Sequence, residues 1–150
     1  MSLTAQEVSD REEIRDVLVR YAQGLDRRQF DQVARCFTPD AQAEFSGNML
    51  QPGVEAIVAY VCGVARLAAT THFVGETAIT LDGDSAETEN YTIAYLVNVN
   101  GENRSVHVRG LRYHDHFVRT PDGWRICQRV HCCDWMFEAP ASATTSMRTA

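Results

Sequence analysis

Tyr21, Asp26 and His72 carry side chains that could take part in acid–base chemistry. Tyr21 lies in a stripe of apolar residues at helical spacing, and a buried phenol must place its hydroxyl against a polar partner or in a wet cavity. An imidazole with a carboxylate behind it holds one tautomer and accepts a proton near neutral pH, which suits the removal of a carbon-bound proton. Structural interpretations exist for each: Tyr21 as core, Asp26 as a helix cap, and His72 as a partly buried histidine bonded to backbone.

Other kinds of chemistry are less well supported. The segments 114–116 (HDH) and 131–133 (HCC) could be imagined as a zinc site, but Arg129 would lie among the ligands, and its charge disfavours a metal. The adjacent Cys132 and Cys133 lie in a predicted strand, where the sheet uses the backbone amides that an oxyanion hole needs. The sequence contains no glycine-rich phosphate-binding motif and no lysine for Schiff-base chemistry. We therefore expect no metal and no cofactor.

Composition limits the partners and the compartment. The formal charge is −6 over 150 residues, and the arginines alternate with acidic and apolar residues, so nucleic acid is not expected as a partner. No apolar stretch approaches the roughly 18 residues of a membrane span, and the first residues do not resemble a signal peptide. The five cysteines are odd in number and lack C-x-x-C spacing, which is typical of reduced thiols. We expect a cytoplasmic protein that does not bind membranes.

The first helix must position Tyr21. Ser9 and Glu12 have the spacing of a capping box, which predicts a helix that begins near Asp10. An end of this helix near Gly24 would let the next residues turn toward the space that Tyr21 faces. The apolar stripe at helical spacing consists of Ile14, Val17, Leu18, Tyr21, Ala22 and Leu25.

The rest of the chain is predicted to change from helix to sheet. The order of elements over residues 1–69 is α, α, β, α, with the strand over 41–45 and the third helix over 54–68. From residue 70 the apolar period changes to two, and three turn signals separate four strands, which predicts an antiparallel meander. The segment 139–150 has no periodicity and is expected to be a disordered tail after one domain, 1–138.

Strand parity and the turns assign side chains to the two faces of this predicted sheet. A single bulge would reverse part of the assignment. One face, expected to line a pocket, collects Tyr91, Ile93, Tyr95, Val97, Val108, Arg112, His114, Arg129 and His131. The other, expected to lie outside and to join copies of the chain in a homodimer or higher oligomer, collects Ala94, Leu96, Arg109, Leu111, Tyr113, Phe117, Ile126 and Val130.

The ordered set Tyr21, Asp26, His72 and Arg129, on a chain that runs α-α-β-α and then antiparallel β, resembles the SnoaL-like branch of the nuclear transport factor 2-like superfamily. The similarity covers nearly the whole chain. It is carried mainly by YAQGLDRRQFDQVARCFTPDA, TTHF and GWRICQRVHCCDWM. It implies an α+β fold, a cone-shaped α+β barrel in which three N-terminal helices pack in a curved, mainly antiparallel sheet around a deep pocket.

The resemblance also implies catalytic roles for Tyr21, Asp26, His72 and Arg129. Asp26 would orient His72, and His72 would abstract a proton. Tyr21 and Arg129 would polarise a carbonyl or stabilise the departing group. We therefore predict a cofactor-independent lyase, a dehydratase, that acts on a hydrophobic cyclic substrate such as a steroid, a polyketide or an aromatic precursor.

The substrate is expected to contact Tyr91, Tyr95, Val108 and His131 on the pocket face of the sheet. Two alternatives remain open at this stage. The same pocket could hold an isomerase or a polyketide cyclase, which would use the same proton abstraction without a leaving group. The chain could also be a noncatalytic module that binds a small ligand, in which the carboxylate and the imidazole form only a structural hydrogen bond.

Overall fold

A computed structural model describes residues 2–142 of the chain. Within them the chain forms three α-helices, one 3₁₀ helix and six strands. In chain order these are α1 (Ala5–Asp26), α2 (Phe30–Ala34), β1 (Phe37–Phe45), β2 (Asn48–Met49), α3 (Val54–Val61), the 3₁₀ helix (Cys62–Arg66), β3 (Ala69–Asp82), β4 (Ser85–Asn100), β5 (Asn103–Thr120) and β6 (Gly123–Pro140).

Helix α1 begins at Ala5, so the predicted start near Asp10 is wrong. The capping box is made by an earlier pair, Thr4 and Glu7. The hydroxyl of Thr4 accepts a hydrogen bond from the backbone N of Glu7, and the Glu7 carboxylate accepts one from the backbone N of Thr4 at 2.7 Å. Asp10 is therefore free for a tertiary contact: its carboxylate binds the Arg119 side chain at the far end of the sheet.

Helix α1 also extends past its predicted end near Gly24, because its last residue is Asp26. Gly24 serves close packing instead. A Cβ atom at this position would lie 2.7 Å from Cγ2 of Val33 in α2, so only glycine lets the two helices approach this closely. The buried face of α1 is the predicted apolar stripe, and it packs against the sheet.

The six strands form one curved, open sheet in the order β2-β1-β6-β5-β4-β3. Strands β3 to β6 make the predicted antiparallel meander, and the α+β fold with three helices packed against a curved, mainly antiparallel sheet is confirmed. Strand β1 lies parallel to β6, which the sequence did not predict. Strand β6 continues two residues beyond the predicted domain end, and residues 143–150 of the predicted tail lie outside the described residues.

A bulge in β6 decides which side chains face the helices. Phe117 pairs with Ile126, whereas His116 pairs with Gln128, so Cys127 is an extra residue without a partner in β5. One extra residue reverses the parity of everything that follows it on the strand. A second extra residue, Asp134, reverses the parity again before Trp135.

The predicted face assignment is therefore corrected. The apolar face that was expected outside faces the helices, and the residues on it that are buried in the core are Ala94, Leu96, Leu111, Tyr113, Phe117 and Ile126. Arg129 and His131 also face inward, because the bulge at Cys127 moves them away from the face that carries His114.

Of the helices in residues 2–142, none combines the length and the apolar composition needed to cross a lipid bilayer.

Candidate active site

A cavity of about 420 Å³ lies between the helices and the inner face of the sheet. Its size falls in the range of sites that hold drug-sized ligands. The apolar part of its wall comes from α1, from α3 with the following 3₁₀ helix, and from strands β1, β4 and β5. The apolar side chains that line it are Leu25, Phe45, Tyr60, Val61, Val64, Leu67, Ala94, Leu96 and Leu111.

His72 lines this cavity and is held from behind by Asp26. Oδ1 of Asp26 lies 2.7 Å from Nδ1 of His72, and Oδ2 accepts a hydrogen bond from the His72 backbone N at 2.9 Å. Burial alone would raise the pKa of Asp26, but the hydrogen bonds from His72 outweigh burial and lower it, so the carboxylate is ionised at neutral pH. An ionised carboxylate accepts from Nδ1–H, which leaves the lone pair of His72 on Nε2.

Two residues that sequence reasoning missed support this pair. The hydroxyl of Thr70 donates to Oδ1 of Asp26 at 3.0 Å and accepts from Nη1 of Arg28 at 2.7 Å. Arg28 also donates to the backbone O of Leu25 at 2.7 Å, so it joins the end of α1 to the start of β3. The one available signal was that Thr70 lies two residues before His72 and therefore on the same strand face. The residue at the N-terminal cap of α2 is Gln29, not Asp26 as a capping role would require.

Arg129 does not line the cavity and lies behind two tyrosines that do, Tyr21 and Tyr113. Its guanidinium carbon is 4.2 Å from the ring centre of Tyr21 and 4.2 Å from that of Tyr113. Both oxygens of Asp115 accept hydrogen bonds from it, at 2.7 and 2.6 Å, and both side chains are completely buried. Burial alone would lower the pKa of Arg129, but Asp115 outweighs burial and raises it, so this cation is permanent.

Two tyrosines stand between this buried cation and the cavity. Tyr21 and Tyr113 both line the cavity, with their ring centres 6.0 Å apart in an edge-on arrangement. Burial raises the pKa of Tyr21, although Arg129 opposes it, and burial raises the pKa of Tyr113 well above its ordinary value. Both phenols therefore keep their protons at neutral pH and can donate hydrogen bonds to a ligand.

His131 lines the cavity from strand β6. Its Nδ1 lies 3.3 Å from Oγ of Ser46, which follows β1. Burial, with a further contribution from the Arg129 charge, lowers the pKa of His131 to about 4. This imidazole is therefore neutral at neutral pH and can exchange hydrogen bonds with a ligand without carrying charge.

Three of the predicted substrate contacts are wrong. Tyr91, Tyr95 and Val108 lie on the outer face of the sheet, away from the cavity, since their strands alternate with the cavity-lining Ala94 and Arg109. Tyr91 is 52% exposed and Tyr95 is 39% exposed to solvent. The reason is that the arginine and histidine positions of β6 were assigned to the same face as these tyrosines, without the bulge that separates them.

Other cavity residues were missed for the same reason. Arg109, Leu111 and Tyr113 were assigned to the outside, although the apolar residues at odd positions of β5 were a signal for an inward face. His114 lies on the outer face and His131 on the inner one, so the imagined zinc ligands are divided between the faces. Among residues 2–142, no three side chains of His, Cys, Asp or Glu are grouped closely enough to hold a metal ion.

Comparison with known proteins identifies the family. The family model of the SnoaL-like domain matches residues 6–130. An uncharacterised protein of Mycobacterium tuberculosis, Rv2910c, is 36% identical over 132 residues, which are 85% of this chain and 88% of the relative.

Similar solved structures agree on the fold. A candidate scytalone dehydratase from Novosphingobium aromaticivorans has a TM-score of 0.81 at 16% identity, covering 99% of both chains. A hexachlorocyclohexane dehydrochlorinase, LinA type 2, has a TM-score of 0.77 at 16% identity, covering 95% of both chains. The predicted resemblance is confirmed, and the chain belongs to the SnoaL-like family of the nuclear transport factor 2-like superfamily.

Proposed function

We propose that this protein is a cofactor-independent lyase, a dehydratase, that removes a carbon-bound proton from a hydrophobic cyclic substrate. The observation that carries the proposal is the position of His72, which borders an apolar cavity while an ionised carboxylate holds its Nδ1. An imidazole in this state presents one basic nitrogen to the cavity, which is the arrangement that a general base needs.

The proposed reaction needs only residues of this chain. Nε2 of His72 takes the proton from a carbon beside a carbonyl, and Asp26 stabilises the imidazolium that forms. The electron pair of the broken C–H bond moves toward the carbonyl oxygen, which accepts a hydrogen bond from the hydroxyl of Tyr21 or Tyr113. The electron pair then returns to form a carbon–carbon double bond, the hydroxyl group departs, and the proton on His72 completes the water molecule.

Arg129 takes a positioning role in this proposal, since it lies below the phenol rings and does not line the cavity. Its permanent charge opposes the effect of burial on the pKa of Tyr21 and so makes that hydroxyl a better hydrogen-bond donor. His131, neutral and on the cavity wall, is proposed to contact a hydroxyl group of the substrate.

The names of two structurally similar proteins fit this chemistry. The candidate scytalone dehydratase and the dehydrochlorinase both have names that denote eliminations, of water and of hydrogen chloride. Those names belong to proteins that share the fold at 16% identity, so they support the reaction class and do not indicate the substrate.

Proton abstraction can be tested before the natural substrate is known. Hydroxylated cyclic ketones that stabilise the protein against heat would be incubated with it in D₂O, and deuterium uptake at the carbon beside the carbonyl would be followed by NMR. We expect uptake with the native protein and none above background with His72→Ala. Equal uptake with the two proteins, both folded by circular dichroism, would end the proposal.

An isomerase or cyclase is the second candidate, and the buried position of Arg129 favours it. A cation that cannot touch the ligand cannot directly stabilise a departing hydroxide, whereas moving a proton within the substrate needs only His72 and a phenol. Mass spectrometry of the product separates the two activities. A dehydratase product is lighter than its substrate by one water, and an isomerase product has the same mass.

We also propose that the protein forms a homodimer or a higher oligomer through the outer face of the sheet. The residues there differ from the predicted ones. The outer aromatic patch consists of Phe73, Tyr91, Tyr95, Trp135 and Phe137, each between 39% and 67% exposed. Beside it, Arg112 forms a two-point ion pair with Asp134, at 2.6 and 2.8 Å. A second copy would cover the apolar rings and could exchange charged partners at this pair.

A further inference from the structure

The charged side chains on the cavity wall all have the same sign. Arg66 and Arg109 line the cavity together with His72, His107 and His131. Among the described residues that line it, none is Asp or Glu. This imbalance is unexpected for a chain with 20 acidic residues and a formal charge of −6. The cavity wall is therefore the opposite in sign to the molecule as a whole.

Neither arginine of this wall forms an ion pair within the described residues, but Arg66 is exposed to solvent whereas Arg109 is half-buried. Arg112, Arg119 and Arg129, on the same two central strands, each pair with an aspartate, whereas no ion pair of Arg109 is formed within residues 2–142. Its Nε is buried and has no hydrogen-bond acceptor among those residues. A buried cationic donor without a partner costs free energy, and a ligand anion would remove that cost.

The sheet register places this cation beside the proposed base. His72, Ala94 and Arg109 form one row across strands β3, β4 and β5, on the inner face. Adjacent strands lie about 4.8 Å apart, so the Cα atoms of His72 and Arg109 are about 10 Å apart. Only the methyl group of Ala94 lies between them, which leaves room for a ring above it.

His107, the neighbouring histidine on the cavity wall, has a carboxylate close to it. His107 lies two residues before Arg109 on the same face, and its Nε2 is 3.5 Å from a carboxylate oxygen of Glu138. Glu138 therefore pairs with His107 and not with Arg109. Of the two arginines in the wall, Arg109 is therefore the half-buried one whose Nε lacks a hydrogen-bond partner in the described part of the chain.

We propose that Arg109 binds a carboxylate group of the substrate, so that the substrate is a cyclic organic acid. The planar guanidinium offers paired N–H donors that match the two oxygens of a carboxylate. The inference rests on the proposed function, because it takes the cavity beside His72 as the substrate site. A carboxylate held at Arg109 would place the ring over Ala94 and the reacting carbon near His72.

The test compares two probes of the same shape and different charge. Dissociation constants of 2-naphthoate and of 2-naphthamide, its neutral counterpart, would be measured by calorimetry at about pH 7.5. We expect the native protein to bind the acid at least about tenfold more tightly, because a carboxylate is an ionised acceptor that can take hydrogen bonds from the guanidinium on both oxygens, whereas the amide offers one neutral acceptor oxygen. Arg109→Gln should lose this preference and keep its affinity for the amide.

Arg112→Gln is the matched control, since it removes the same charge from the same strand on the opposite face. It should keep the preference for the acid. Equal binding of the two probes by the native protein, or an unchanged preference in Arg109→Gln, would overturn the inference. Binding needs no turnover, so the two tests fail separately. Equal deuterium uptake by the native protein and His72→Ala would overturn the proposed function, and the probe affinities would still decide the role of Arg109.

Discussion

The proposed chemistry depends most on the carboxylate of Asp26. Its two oxygens accept hydrogen bonds from the side chain and the backbone of His72 and from Thr70, so neither carboxylate nor imidazole can rotate freely. A base held in one tautomer and one orientation is ready for proton transfer without reorganisation.

Asp26→Asn tests that role while it preserves the shape of the side chain. The amide cannot hold the same tautomer or stabilise an imidazolium, so we expect deuterium exchange or turnover to fall by about 10²–10⁴-fold. The thermal unfolding midpoint serves as the check on folding. Asp16→Asn, on the exposed side of α1, is the matched control and should leave the rate unchanged.

The buried ion pair between Arg129 and Asp115 leads to a prediction about the stability of the fold. Asp115→Ala leaves a buried guanidinium without its carboxylate, which should cost roughly 3–5 kcal/mol of unfolding free energy in urea titrations. The double variant Asp115→Leu with Arg129→Met removes both charges and should lose less than Asp115→Ala. A double variant less stable than the single one would contradict this account.

Among the contacts between elements, Asp10 joins the first half of α1 to the end of β5 and the start of β6. Its carboxylate accepts two hydrogen bonds from Arg119, at 2.9 and 2.8 Å, and one from Nε1 of Trp124 at 3.1 Å. The hydrogen bonds from Arg119 outweigh burial and lower the pKa of Asp10 to about 2. A lowered pKa means that the ionised carboxylate stabilises the fold above the pKa of the unfolded chain.

Asp10→Asn should therefore lose roughly 1–3 kcal/mol of unfolding free energy at pH 7, because it weakens the hydrogen bonds from half-buried Arg119 and from buried Trp124. The difference from the native protein should shrink as the pH falls from about 4 toward 2, where the native carboxylate becomes protonated. Urea unfolding at pH 7 and at acid pH measures both values. A difference independent of pH would show that the charge of Asp10 contributes nothing.

The elements also show why the sequence predicted the fold better than the site. Helical and strand periods are local, so the apolar stripe of α1 and the four long strands could be read from residue spacing. The parallel pairing of β1 with β6 joins residues 86 to 89 positions apart and leaves no local signal.

The bulge at Cys127 also left no clear signal in the sequence, and it caused the errors in the predicted site. The residue types around Cys127 hide the extra residue, because apolar Trp124, Ile126 and Val130 keep the same parity across it and only Gln128 departs from the pattern. The residues of β6 before Cys127 were therefore placed on the same face as their true partners in β5. The residues after Cys127, such as Arg129 and His131, were placed on the wrong face. Tyr21, Asp26 and His72 escaped this error because they lie outside the bulged strand.

At the scale of the whole molecule, the proposed assembly through the outer aromatic patch leads to a direct test. Phe137→Glu places a charge among Tyr95 and Trp135 without touching the core, so we expect it to convert an oligomer to a folded monomer in light scattering at micromolar concentration. Val19→Glu adds the same charge to an exposed apolar position on α1 and should stay assembled. A native protein that is monomeric would refute the assembly.

Leu111→Glu provides the opposite comparison, because Leu111 is only 4% exposed and faces the helices. A carboxylate placed there should unfold the chain and not merely dissociate it. The contrast between Phe137→Glu and Leu111→Glu tests the corrected face assignment independently of any catalytic measurement.

The two tryptophans of the chain are placed so that their fluorescence reports different events. Trp124 is 3% exposed and stacks against Arg119, so its emission should change only when the fold opens. Trp135 is 49% exposed in the outer aromatic patch and stacks on Phe137. Dilution of an assembled protein should therefore shift Trp135 emission to longer wavelength while Trp124 emission stays constant, which gives association and unfolding separate optical signals in one unlabelled sample.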